Sequence, residues 1–170
     1  MSRQPHLYFD NNATAPLRPE AMEAIQAAMG PPSNPSSVHG YGRAARMAVE
    51  AARAEIAILA GCRGADVVFT SGGTEANNLA LSVFDHVITS AVEHDSVLRV
   101  VPDATIIGVD GEGRIDLDQL RDVLGSLPDD RRGRTLVSVM SANNETGVLQ
   151  PIADVVALAR EAGGGTGGRS

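Results

Sequence analysis

Two rhythms of apolar positions alternate along the chain. Short β-branched and aromatic runs mark strands. Val67, Val68 and Phe69, bounded upstream by the turn-like "CRGAD", predict a buried strand, and "HVITS" (86–90), "ATIIGV" (104–109) and "TLVSVM" (135–140) predict three more. Between them apolar side chains recur at helical spacing. Met47, Ala51, Ala54 and Ile58 fall on one face of a long helix from about Tyr41 to Ala60, where small residues permit close packing. Leu117, Leu120 and Leu124 share a side of "DLDQLRDVLGSL", which Asp116 opens. "PIADVVALAREAG" has Pro151 in its first turn and Gly163 at its end, and "EAMEAIQAAMG", preceded by Pro16 and Pro19, stops at Gly30. Strands alternating with helices predict an α/β fold with a mostly parallel sheet covered by helices on both faces.

Three stretches fall outside both rhythms. "PPSNPSSVHGYG" (31–42) is a Pro/Ser/Gly loop too long for a mere connector, and "PDDRRGR" (128–134) predicts a charged surface loop. "GGGTGGRS" (163–170) is flexible, linker-like sequence at the point where another strand is expected, so the sheet is expected to be incomplete. The expected organisation is therefore one partial domain over 1–162 and a Gly-rich tail over 163–170.

Composition narrows the function classes. A 170-residue chain with 43% hydrophobic content can build a core, and no apolar stretch approaches the roughly 18 residues of a membrane span. A formal net charge of −7 and a pI near 5.0 argue against nucleic acid or an anionic membrane as the main partner. The opening "MSRQPHLYFD" has no apolar core of a signal peptide, so a cytoplasmic location is expected. The lone Cys62 cannot form an internal disulfide and is expected to be a small packing residue. All 14 basic residues are arginine, which denies the chain any lysine amine for chemistry.

The candidate chemistry lies where the predicted strands end, since ligands of open α/β sheets collect at strand carboxyl ends. In "TSGGTEANN" (70–78), Gly72 and Gly73 precede Thr74, which can cap a helix with Glu75 in its first turn. A strand, a glycine turn and a helix start together form an anion cradle suited to phosphate, although "GGT" taken alone is more often a plain strand-to-helix turn. His94, in "SAVEHDS", is placed to stack on a planar ring or shuttle a proton, or to start a helix by bonding a backbone group. Asn143, Asn144 and Glu145, in "SANNETG", suit either a ligand contact or an Asx-type turn. Their common position at one sheet edge favours a site.

As an ordered set, "YFDNNATAPLRPEA", "SNPSSVHGYGRAAR", "VVFTSGGTEANNLAL", "HVITSAVEHDSVL" and "VSVMSANNETGVLQPI" resemble the cysteine desulfurases of the class V aminotransferase fold, over residues 7 to 162. The resemblance implies the N-terminal part of the large domain that binds pyridoxal 5′-phosphate (PLP). It implies that Gly73 and Thr74 hold the cofactor phosphate, that His94 stacks on the pyridine ring and assists proton transfer, and that Asn144 contacts the ring. A weaker carry-over places Asn34 near the substrate or the dimer partner. Such enzymes take sulfur from L-cysteine, leaving alanine and an enzyme persulfide for sulfur-acceptor proteins in iron-sulfur cluster or thiolation pathways, and the intact enzyme is expected to be a homodimer. The cofactor acts as electron sink while a loop cysteine attacks the substrate sulfur.

The sequence also departs from that pattern. The resemblance calls for a later strand carrying an Asp for the pyridine nitrogen, a Schiff-base lysine, a loop cysteine and a carboxylate-binding arginine, and none has a counterpart in "GGGTGGRS". Cys62 lies in the wrong block to be that cysteine. Covalent PLP attachment through lysine is excluded for this sequence, so the chain is expected to be inactive by itself. The alternatives are another class V enzyme such as a selenocysteine lyase, or a non-catalytic protein that binds phosphate ligands or a full-length relative.

Overall fold

The computed structural model describes residues 7–31 and 33–163. All but the first residue of the glycine-rich tail lies outside the described residues. The chain divides into two compact units, Met1–Phe69 and Thr70–Ser170.

In the first unit, helix α1 (Pro19–Ala28) starts with proline at its first position, where a missing N–H costs nothing. Helix α2 (Gly40–Ala60) is opened by His39, whose Nδ1 accepts the Gly42 N–H at 3.3 Å. Gly42 is buried against the preceding loop, and a Cβ there would lie 2.1 Å from the Ser37 carbonyl oxygen. Gly61 ends the helix in the left-handed region at φ 65°, and the next N–H, of Cys62, returns to the Ala57 carbonyl at 3.0 Å. Cys62 is exposed rather than packed, contrary to expectation, at a place fixed by that backbone bond. The face carrying Met47, Ala51 and Ala54 is likewise exposed. Burial on α2 falls on Gly42 and Ala57 instead.

A further correction concerns residues 67–69. Val67 has extended angles, but the segment forms no ladder, and Val68 and Phe69 are exposed. A strand exists only through its partners, and no described residue supplies one. Arg53 holds the segment instead: its guanidinium donates to the Val67 carbonyl and lies 4.9 Å from the Phe69 ring centroid.

The second unit contains a three-stranded parallel sheet. Strand β1 (His86–Ser90) lies between β2 (Thr105–Ile107) and β3 (Thr135–Ser138), with Ile88 opposite Thr105 on one side and Val137 on the other. Alternation along β1 separates two cores. Ile88 packs with Ile107, Ile115, Leu120, Leu124 and Val155, burying α5 (Leu117–Gly125) and α7 (Ile152–Ala162) on one face. Val87 packs with Leu81 and Val97, from α3 (Gly73–Leu81) and the short α4 (Asp95–Leu98), on the other. The expected α/β architecture, parallel and covered on both faces, is therefore present. Asp116 caps α5 by accepting the N–H groups of Asp118 and Gln119. Within "PDDRRGR" the chain makes a short helix, α6 (Asp129–Arg132), where a plain loop was expected. Acidic residues at its start and arginines at its end suit the helix dipole.

Candidate functional site

The site elements belong to the second unit. Helix α3 begins two residues earlier than its sequence suggests. Gly72 is its N-cap in extended backbone and Thr74 lies within the first turn, so Thr74 is not the cap. Glycine at the cap leaves this helix end without a side-chain capping bond. A Cβ built on Gly72 or Gly73 would meet no atom within 4 Å, and Gly72, Gly73 and Thr74 are all exposed. The first-turn N–H groups and the Thr74 hydroxyl therefore border open space, which is the geometry an anion needs. Behind them Ser71 donates to the Glu75 carboxylate from its N–H at 2.7 Å and its hydroxyl at 2.6 Å. The hydroxyl bond and then the backbone bond hold Glu75 below the usual carboxylate range.

His94 follows β1 and caps α4. Its Nδ1 accepts the Ser96 N–H at 3.0 Å and lies 2.8 Å from the Ser96 hydroxyl, which also accepts a hydrogen bond from Asn77 Nδ2 at 2.8 Å. Asn77 belongs to α3, so the helix that opens at the cradle is tied to the His94 turn. The loop after β3 is tied to the same place. Buried Glu93 accepts from the Ser90 hydroxyl at 2.9 Å and the Met140 N–H at 2.7 Å, joining the carboxyl ends of β1 and β3. Asn143, also buried, donates to the Val92 carbonyl at 3.0 Å and accepts the N–H groups of Glu145 and Thr146 at 2.9 Å each.

The result is one open cleft lined by Val92, Glu93, His94, Asp95, Asn143, Asn144 and Glu145. His94 and Asn144 thus share a cleft. Gly73 and Thr74 are not among its lining residues and connect to it through Asn77 and Ser96. His94 does start a helix and Asn143 does form an Asx turn. Neither role consumes the whole group: Nε2 of His94 makes no hydrogen bond among the described residues, and Asn144 is exposed within the turn. Asn34, in the first unit, spends its side chain on the Ser36 N–H at 2.8 Å. Glu93, Asn77 and Ser96 are the supporting residues that sequence reasoning missed. The available signal was their position one, seventeen and two residues from His94, but only the fold shows that they bond across the sheet end.

An imidazole and an amide share a cleft at the carboxyl end of a parallel sheet, tied by hydrogen bonds to a glycine-opened helix, in an α/β protein whose class comparison makes specific. The Aminotransferase class-V profile matches residues 7–165, and the chain belongs to that family. Among its relatives, Cysteine desulfurase IscS of Dictyoglomus turgidum is 39% identical over 91% of this chain, and Putative cysteine desulfurase IscS 1 of Bacillus subtilis is 37% identical over the same share. The X-ray structure of the NifS-like protein of Rickettsia africae superposes with a TM-score of 0.81 at 36% identity, covering 89% of this chain. The chain spans 42% of the Dictyoglomus protein, 44% of the Bacillus protein and 44% of the Rickettsia structure.

Proposed function

We propose that these 170 residues are the N-terminal, cofactor-binding part of a PLP-dependent cysteine desulfurase. The observation that carries the reading is the uncapped start of α3, open at Gly72 and Gly73 and bonded through Asn77 and Ser96 to His94, in a chain belonging to the class V family. The residues present fit PLP. Gly73 and Thr74 would hold the phosphate with backbone N–H groups and a hydroxyl, His94 would face the ring, and Asn144 would bond its edge. PLP, when bound, supplies an electron sink for bond cleavage next to the substrate amine. The protein residues orient it, and the Glu93 and Asn143 bonds keep His94 and Asn144 on one cleft.

In the whole enzyme the substrate is L-cysteine, the product alanine, and sulfur passes to acceptor proteins from a homodimer in the cytoplasm. The 170 residues alone are inactive in this reading, because they contain no lysine to anchor the cofactor. No described helix is long and apolar enough to cross a membrane.

The test is titration with PLP and, as a phosphate-free control, pyridoxal, followed by borohydride reduction and mass mapping. The expected result is reversible binding that prefers PLP, weakens roughly tenfold in Thr74→Ala through loss of a charge-assisted hydrogen bond, and leaves no reduced adduct at an interior residue. Equal affinity for PLP and pyridoxal, or alanine release from L-cysteine by this chain alone, would overturn the reading.

A further inference from the structure

We infer that Ser96 and Asn77 are positioning residues that fix the neutral His94 ring as the Nε2–H tautomer, so that His94 offers its ligand a hydrogen-bond donor rather than an acceptor. The Ser96 amide hydrogen is fixed by the backbone and points at Nδ1 from 3.0 Å, which favours a lone pair there. The Ser96 hydroxyl lies 2.8 Å from the same nitrogen. Asn77 Nδ2 donates to that hydroxyl at 2.8 Å and occupies one of its lone pairs, which turns the hydroxyl hydrogen toward Nδ1. Ser96 is buried and Asn77 half-buried, so water competes poorly with this relay. With Nδ1 receiving two hydrogens, the proton of the neutral ring resides on Nε2, which makes no hydrogen bond among the described residues and belongs to an exposed residue of the cleft. The same relay runs from α3, so the helix carrying the phosphate cradle and the imidazole are bonded to each other through one hydroxyl.

The functional consequence rests on the proposal that His94 faces the cofactor. A neutral His94 of this tautomer can donate a hydrogen bond or a proton from Nε2, and it can take a proton only after first giving one up there or losing the Ser96 bonds at Nδ1. The tautomer itself is independent of PLP and can be measured without it.

The experiment is ¹⁵N NMR of the cofactor-free chain with labelled histidine, at a pH well above the ordinary histidine range of about 6.5, with His94 assigned by its loss in His94→Gln. The expected spectrum shows Nδ1 as the unprotonated, pyridine-type nitrogen and Nε2 as the protonated, pyrrole-type one. Ser96→Ala keeps the backbone bond to Nδ1 but removes that of the hydroxyl, so the two resonances should draw partway toward each other as tautomers mix, and Ser96→Thr should restore them. Asn77→Asp covers the event that Ser96→Ala fails to fold. Its carboxylate accepts the Ser96 hydroxyl hydrogen and withdraws it from Nδ1, so the resonances should again converge. A wild-type Nδ1–H ring, or averaged resonances in the wild type, would overturn the inference. So would resonances that stay put in Ser96→Ala, or in Asn77→Asp if the alanine variant cannot be studied. Weak PLP binding with an intact Nε2–H tautomer would instead overturn only the functional reading.

Discussion

Asn143 illustrates how much one buried amide can organise. Its three side-chain hydrogen bonds close the turn that carries Asn144 and fasten that turn to Val92, two residues from His94. Asn143→Ala leaves these partly buried partners without their amide, and a loss of about 1–2 kcal/mol in urea denaturation is expected. Asn143→Asp keeps the two turn bonds but sets an acceptor against the Val92 carbonyl, so it should also destabilise. Glu75 shows the electrostatic side. Its pKa is depressed in the folded chain by the Ser71 hydroxyl and backbone N–H, so the stabilisation from this contact is present above the unfolded pKa, near 4.3, and is lost as pH falls through the lower folded value. An NMR titration of the Glu75 carboxyl carbon should show a midpoint below that of an ordinary glutamate. Ser71→Ala, which removes the larger cause, should move it back up. The types of these residues were legible in "TSGGTEANN" and "SANNETG". Their partners were not, because Asn143 bonds a residue 51 positions away.

Elements whose ends carry their own signals formed where the sequence put them. Strand β1 occupies 86–90 as expected, α5 starts after Asp116, and α2 stops at Gly61 in the left-handed conformation that glycine tolerates best. Gly61→Ala should cost about 1 kcal/mol in thermal or chemical unfolding of the first unit. Gly42→Ala should cost more, about 2–3 kcal/mol, because its Cβ would collide with the Ser37 backbone and force the loop off the helix. A shift in the amide spectrum confined to 33–42 would mark that displacement. The elements that departed from expectation lacked such local determinants. Residues 67–69 have strand composition without a strand partner, and α4 is a single turn that exists because His94 and Ser96 bond each other.

On the scale of the molecule, apolar surface is abundant. Phe9, Leu59 and Val38 are each at least 85% exposed, and Leu149 is 71% exposed. Strands β2 and β3 each have an outer edge that no described strand pairs. Exposed apolar area and open edges favour association. The chain is expected to self-associate as concentration rises in light-scattering chromatography, and salt should strengthen rather than weaken the effect. A monomer that stays monodisperse and melts cooperatively would contradict this.

The sequence by itself determined the alternation of strands and helices, the caps and stops, the glycine opening of α3 and the lack of lysine. Each follows from side-chain periodicity, backbone preference or chemical identity within a few residues. Tertiary structure decided which apolar faces were buried, leaving Met47 and Cys62 exposed while closing Ala57, and whether an extended run became a strand. It also decided that His94 and Asn144 share a cleft whose walls are fastened by Glu93, Asn143 and Ser96. Burial and cross-sheet hydrogen bonds depend on residues distant in the chain meeting in space, and local pattern carries no record of that meeting.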